Sequence, residues 1–240
     1  MAGPRAIASA LFDLYPVKMD FSHVDVWIFD LDNTLYPPEM ALFPQIEERM
    51  TAYVMRTLEC EHARADQVRS EYWRSHGTTL AGLMARHGVD PGDYLADVHD
   101  IDFDVLTPAP ELAAAINALP GHKMIHTNAD STYARKVLAA RCLDMFEDIY
   151  GVEETHYHPK PLREAFEAVI AQSGIDPRRA AFFEDDPRNL AVPHDMGMRT
   201  VLVGPARDGP SLLKGEIPAY VDVHIDNLTA FLQSLTAARA

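Results

Sequence analysis

The chain alternates between short uninterrupted apolar runs and stretches whose apolar residues recur every three or four positions. Val26-Trp27-Ile28-Phe29 is the clearest of the runs, and it ends abruptly at Asp30. Further strand-like stretches, some with polar residues among the apolar ones, are read at 123–126, 148–152, 180–183, 199–203 and 220–225. Continuous rather than alternating apolar character marks strands buried on both faces, as in a parallel sheet. Helical spacing fills the intervals: Leu112, Ile116 and Leu119; Tyr133, Val137 and Leu138; Leu162, Phe166, Val169 and Ile170; and finally Leu228, Phe231, Leu232 and Leu235. A short helix is expected from Pro187. The alternation predicts an α/β fold, a Rossmann-like parallel sheet with helices on both faces.

One block breaks the rhythm. Residues 39–106 carry helical periodicity and no strand signal. Phe43, Ile46, Met50, Tyr53, Val54 and Thr57 share a helical stripe, and Pro44 suits a first turn. A second helix is expected over about 64–74, followed by a turn, Ser75-His76-Gly77-Thr78-Thr79. A third, with Leu80, Leu83, Met84 and His87, closes at Gly88. A fourth is expected from Pro91 to about His99. The expected organisation is therefore a loose leader at 1–18 (with Met19 an alternative start), an α/β core at 19–38 and 107–240, and an inserted helical cap at 39–106.

Composition narrows the partners. Lys plus Arg number 21 and Asp plus Glu 36, a net charge of −15. Such a surface repels nucleic-acid polymers and anionic membranes, although a small anion can still bind where a site supplies local positive charge. Two cysteines, Cys60 and Cys142, give no disulfide framework. A reducing, cytoplasmic location is expected. No apolar run approaches the roughly 20 residues of a membrane span.

The polar clusters stand where strands have just ended, which in a parallel sheet gathers them on one edge. Asp30-Leu31-Asp32 places two carboxylates there. They repel unless a cation or shared proton relieves them, and one aspartate could serve as a nucleophile. Taken alone, such a pair also fits a solvated turn. Thr127-Asn128 reads as a helix cap or as a phosphate grip. Lys160, in His158-Pro159-Lys160-Pro161, is expected on an exposed loop, stiffened by its prolines and able to aim an ammonium at an anion. Glu184-Asp185-Asp186 calls for a cation. Asp186 precedes Pro187 and reads as a helix cap, leaving Glu184 and Asp185 as metal candidates. His156 and His158 read as loop residues, and His126 as a sheet residue.

Together, Asp30-Leu31-Asp32-Asn33-Thr34, Thr127-Asn128, Lys160-Pro161 and Glu184-Asp185, in that order and each after a strand, resemble the haloacid dehalogenase superfamily. The resemblance spans about 25–225, with 39–106 in the position of the helical cap. FDLDNTLYP, HPKP, FFEDDPRN and SHGTTLAGL are most similar to its pyrimidine 5′-nucleotidase branch. Glu184 departs from that branch, where Asp is more usual.

The resemblance implies a phosphatase. Asp30 would attack phosphorus, and Asp32 would act as acid and then base. Mg²⁺ would be held by Asp30, the Asp32 main-chain carbonyl, Glu184 and Asp185. Thr127, Asn128 and Lys160 would bind phosphate. A small phosphorylated metabolite is the expected partner. The turn around His76 and Thr78 is the expected contact to the leaving group, with a pyrimidine nucleoside 5′-monophosphate as substrate. A phosphosugar phosphatase or mutase would carry the same catalytic residues. A phospho-accepting receiver module uses similar residue types in another order and has no helical insertion.

Overall fold

The computed structural model describes residues 20–146, 148–204 and 217–237. The leader expected at 1–18 lies outside them. Six strands, all parallel, form one sheet among the described residues: β1 (Val26–Phe29), β2 (His122–His126), β3 (Asp148–Tyr150), β4 (Ala180–Glu184), β5 (Arg199–Val203) and β6 (Val223–Ile225). Their order is β3-β2-β1-β4-β5-β6. The chain thus builds outward from β1 in one direction, then returns to its other side with β4. The reversal opens a crevice beyond the carboxyl end of β1, where α/β sheets bind ligands.

Register fixes what stands in that crevice. Phe29 pairs with Ile125 on one side and Phe183 on the other. Asp30, His126 and Glu184 therefore occupy the next row, and the Asp30 amide still donates to the Phe183 carbonyl at 2.9 Å. Alternation along each strand puts Asp30 and Glu184 on the same face as Ile28 and Phe182.

Helices cover both faces. On one lie α5 (Pro110–Asn117), α6 (Ser131–Ala140) and α9 (Leu228–Ala237), whose apolar residues pack with Trp27, Phe29, Ile125 and Phe183. The Phe29 and Phe183 rings stack at 4.7 Å. The other face, with Val26, Ile28, Met124 and Phe182, is covered by Ala165, Phe166 and Val169 of α7 (Arg163–Ser173) and by Leu190. A short α8 (Ala191–Asp195) continues from the one-turn helix Pro187–Leu190.

The interval 39–106 is helical, as its periodicity predicts: a one-turn helix Pro38–Met40, then α1 (Leu42–Leu58), α2 (His62–His76), α3 (Thr79–His87) and α4 (Pro91–Val98). They form the cap. Gly88 ends α3 in the left-handed conformation, with φ 64°. The connection between α2 and α3 is shorter than the sequence suggests. Ser75 and His76 belong to the last turn of α2, and Gly77, at φ 87°, makes the break. A Cβ on Gly77 would lie 3.1 Å from Pro159 Cγ and 3.3 Å from the Lys160 carbonyl oxygen, so this turn packs against the lysine loop. The last strand begins at Val223 rather than at 220. A turn closed by the Val221 amide on the Pro218 carbonyl takes up the residues before it.

Candidate active site

β1, β2 and β4 deliver their terminal residues to one point, and the loop before α7 closes over it. Lys160 is the centre. Its ammonium lies 2.7 Å from Asp30 Oδ1 and 2.7 Å from Glu184 Oε2, and donates to the His126 carbonyl at 2.9 Å. The expectation of an exposed loop lysine is therefore corrected, since the residue is only 1% exposed. Its ammonium also lies over the Phe182 ring, 5.2 Å from the centroid. The loop is fixed from the core. The Lys160 amide donates to Asn128 Oδ1 at 2.8 Å, and Asn128 Nδ2 donates back to the Lys160 carbonyl at 3.1 Å. Asn128, expected to bind phosphate, thus has its side chain engaged in holding the lysine.

Charge in this dry row is strongly perturbed. Burial, then repulsion from Glu184, push Asp30 up to about 8 against the pull of Lys160. Burial alone would lower Lys160, but Asp30 and Glu184 overcome it and keep the ammonium charged. Burial holds His126 neutral, well below its ordinary value.

Asp30, Glu184 and Asp185 each offer a carboxylate oxygen, all within 4.8 Å of one another. Three carboxylates against one ammonium leave an excess of negative charge, and hard oxygen donors are what Mg²⁺ takes. The donor set fits that ion. The second Glu184 oxygen accepts the Asp185 and Asp186 amides, both at 3.0 Å, which orients the acidic segment. Asp186 caps the following turn by accepting the Arg188 amide, as its place before Pro187 predicts. His156 and His158 stand outside the cluster.

Asp32 has other neighbours. Its carboxylate is not part of the acidic cluster, and its Oδ1 accepts from two phenols, Tyr36 at 2.6 Å and Tyr133 at 2.7 Å. Burial raises its pKa, and the two hydrogen bonds oppose that shift. Thr127 is buried after β2, where its hydroxyl accepts the Ala129 amide at 3.1 Å. The cap of α6 is Asp130, two residues beyond Asn128, the nearer of the residues expected to fill that role.

A cavity of about 700 Å³ runs from Asp30, Asp32 and Thr127 into the cap. Phe43, Ile46, Met50 and Leu95 supply its apolar wall, and Arg69 and Trp73 stand among them. Gly77 and Thr78 also reach it. The Thr78 hydroxyl accepts the Ala81 amide as the cap of α3. His76, expected to contact substrate, is not among the lining residues, and its Nδ1 lies 2.7 Å from Ser75 Oγ. Where Arg188 meets Trp73, the guanidinium lies 3.3 Å from the ring centroid, and Asp186 binds it from behind.

Sequence reasoning missed Tyr36, Tyr133 and the pair formed by His99 Nδ1 and Asp130. Tyr133 reads from sequence as a core helix residue. Only the adjacency of β1 and β2 brings α6 to Asp32.

Residues 24–197 match the model of the haloacid dehalogenase-like hydrolases. The chain belongs to that family of hydrolases. A curated relative, Phosphate metabolism protein 8 of Saccharomyces cerevisiae, is 24% identical over 198 residues, 74% of this chain and 60% of that protein. The match thus spans about three fifths of that relative's length. Among solved structures, CbbY from Rhodobacter sphaeroides in complex with phosphate superposes with a TM-score of 0.58 at 16% identity, covering 87% of this chain and 96% of that one. L-2-haloacid dehalogenase from Xanthobacter autotrophicus gives 0.56 at 16% identity, over 88% and 98%. Both likenesses concern the fold.

Proposed function

We propose that this chain is a Mg²⁺-dependent phosphatase that hydrolyses a small phosphomonoester, a pyrimidine nucleoside 5′-monophosphate, through an aspartyl phosphate on Asp30. The observation that carries the reading is the division of labour at the end of β1. Asp30 faces an ammonium and two further acids, whereas Asp32 is held apart by phenols. Displacement of halide from a carbon needs neither the second acid nor the acidic pair, so the set favours phosphoryl transfer over dehalogenation.

Asp30 attacks phosphorus. Lys160 orients the nucleophile and opposes the burial that raises its pKa, and Thr127, which lines the same cavity, would offer its hydroxyl to phosphate oxygens. Asp32 gives a proton to the leaving oxygen and then takes one from the water that hydrolyses the intermediate. Mg²⁺, held by Asp30, Glu184 and Asp185, would offset phosphate charge. The cap wall supplies room and apolar surface for a leaving group, and the motif resemblance points to a pyrimidine nucleoside.

The test is phosphate release from UMP, CMP, AMP and several sugar phosphates, beside halide release from a 2-haloacid. UMP and CMP should lead, and Asp30→Asn should abolish turnover while the protein stays folded. Preference for sugar phosphates would overturn the substrate assignment. Halide release without phosphate release would overturn the reaction.

A further inference from the structure

Asp32 is held more tightly than an acid–base group at a cavity wall requires for packing alone. Both phenols reach the same atom: Tyr36 and Tyr133 donate to Oδ1 at 2.6 and 2.7 Å. Two donors fill the lone pairs of that oxygen. No hydrogen bond reaches Oδ2 among the described residues, and Asp32 lines the cavity.

The phenols are themselves constrained. Tyr36 comes from the loop after β1 and is 1% exposed, as is Tyr133 on α6. The Tyr133 amide donates to Asp130 Oδ1 at 2.7 Å. Asp130 also binds His99 Nδ1, and the His99 ring stacks on the Tyr133 ring with centroids 4.2 Å apart. Phe103 packs beside Tyr133 at 5.8 Å. His99 caps the last helix of the cap, and Phe103 lies on the strand of chain returning to the core. Two phenols, one from the loop after β1 and one from α6, therefore meet on one carboxylate oxygen, and the cap braces the second of them through His99 and Phe103. Simple core packing would need the rings but not the hydroxyls.

We propose that Tyr36 and Tyr133 are positioning residues that pin Asp32 Oδ1 and so make Oδ2 the atom that carries the proton to and from the reacting oxygens. The proposal rests on the phosphatase reading. In the first half-reaction the Oδ2–H bond breaks as the leaving oxygen gains the proton. The electron pair stays on the carboxylate, where Oδ1 is already met by two O–H donors. In the second, a water gives its proton to Oδ2 while its oxygen attacks the phosphorus of the aspartyl phosphate, and Asp30 leaves as a carboxylate. Fixing Oδ1 removes the alternative rotation, in which the proton would face the protein.

The test compares Tyr36→Phe, Tyr133→Phe and the double variant on two esters, the best nucleoside monophosphate and 4-nitrophenyl phosphate. The second has a leaving group that departs without protonation. Each single variant should lose about 10–100-fold in kcat on the nucleotide, the size expected for one hydrogen bond to a charged group, with KM changed by less than about twofold. The burst of 4-nitrophenol should keep its wild-type rate, because forming the aspartyl phosphate then needs no proton. The later steady-state rate should fall, because water activation still does. Equal losses in the burst and on the nucleotide would overturn the proposal, as would wild-type kcat in the double variant. If the double variant melts early, the single variants decide. A wild-type protein that turns over neither ester would sink the phosphatase reading and this proposal with it. An active, bursting wild type with unaffected tyrosine variants would sink the proposal alone.

Discussion

Asp30 and Asp32 leave the same strand two residues apart and end in unlike surroundings. Around Asp30 everything is ionic: the Lys160 ammonium, Glu184 and the neighbouring Asp185, in a row that solvent barely reaches. The hydrogen-bond partners of Asp32 are aromatic: two phenols, with the His99 ring stacked on one of them. The end of the strand explains the split. Asp30 continues the face of Ile28 toward α7, while Asp32 already stands in the turn that follows β1, which carries the chain, with Asn33 at φ 59°, to the side where Leu35 and Tyr36 enter the other core. Identical side chains thus acquire different chemistry because the pleat stops between them. One half of the site is built to respond to cations, the other to hold a single atom still.

The comparison can be broken most severely at Lys160. Lys160→Met leaves Asp30 and Glu184 buried side by side with no counter-charge. Activity should vanish, and chemical denaturation should show a loss of about 3–5 kcal/mol, the usual consequence of breaking a buried ion pair. Added Mg²⁺ should restore part of that stability. A variant as stable as wild type in chelator would show that the ammonium is not needed to hold the acids together.

Next in size is the metal itself. Chelation should abolish phosphate release and Mg²⁺ should restore it. At about 100 times its dissociation constant the ion should stabilise the fold by about 2.7 kcal/mol, read as a rise in the thermal midpoint. Glu184→Gln with Asp185→Asn should remove that rise, whereas Tyr133→Phe should retain it. Loss of the rise in Tyr133→Phe would merge the two halves.

The smallest effect concerns the edge of the ionic half. Burial depresses His126 well below its ordinary 6.5, so the folded state binds fewer protons than the unfolded chain. Its contribution to stability is full above that value and is lost as pH falls through it. His126→Phe should flatten the acid side of a stability–pH curve by removing this titration. An unchanged slope would assign the acid sensitivity to other groups.

The fold was largely legible because the central strands β1 and β4 carry uninterrupted apolar runs, VWIF and AAFF, and the helices between strands carry periodic ones. Strand-end placement also collected Asp30, Thr127, Lys160 and Glu184 in advance. What stayed hidden depends on three-dimensional neighbours. A lysine between prolines looks solvated in sequence, and only the Asn128 clamp and the acidic row show why it is buried. His76 looks like a loop ligand until α2 extends through it, because the break is made by Gly77 alone. Tyr133 carries the helical spacing of any core residue, so its hydroxyl gives no signal along the chain.

The contact between Arg188 and Trp73 makes the protein its own optical gauge. The chain has two tryptophans. Trp27 is sealed in the sheet core, its indole N–H held by the Pro120 carbonyl at 2.7 Å. Trp73 lies on α2 in the cap, beneath a guanidinium anchored to the acidic segment by Asp186. Any displacement of the cap from the sheet edge removes a cation from one indole and leaves the other untouched. Intrinsic fluorescence of a Trp27→Phe protein would therefore follow the cap directly, without an attached dye.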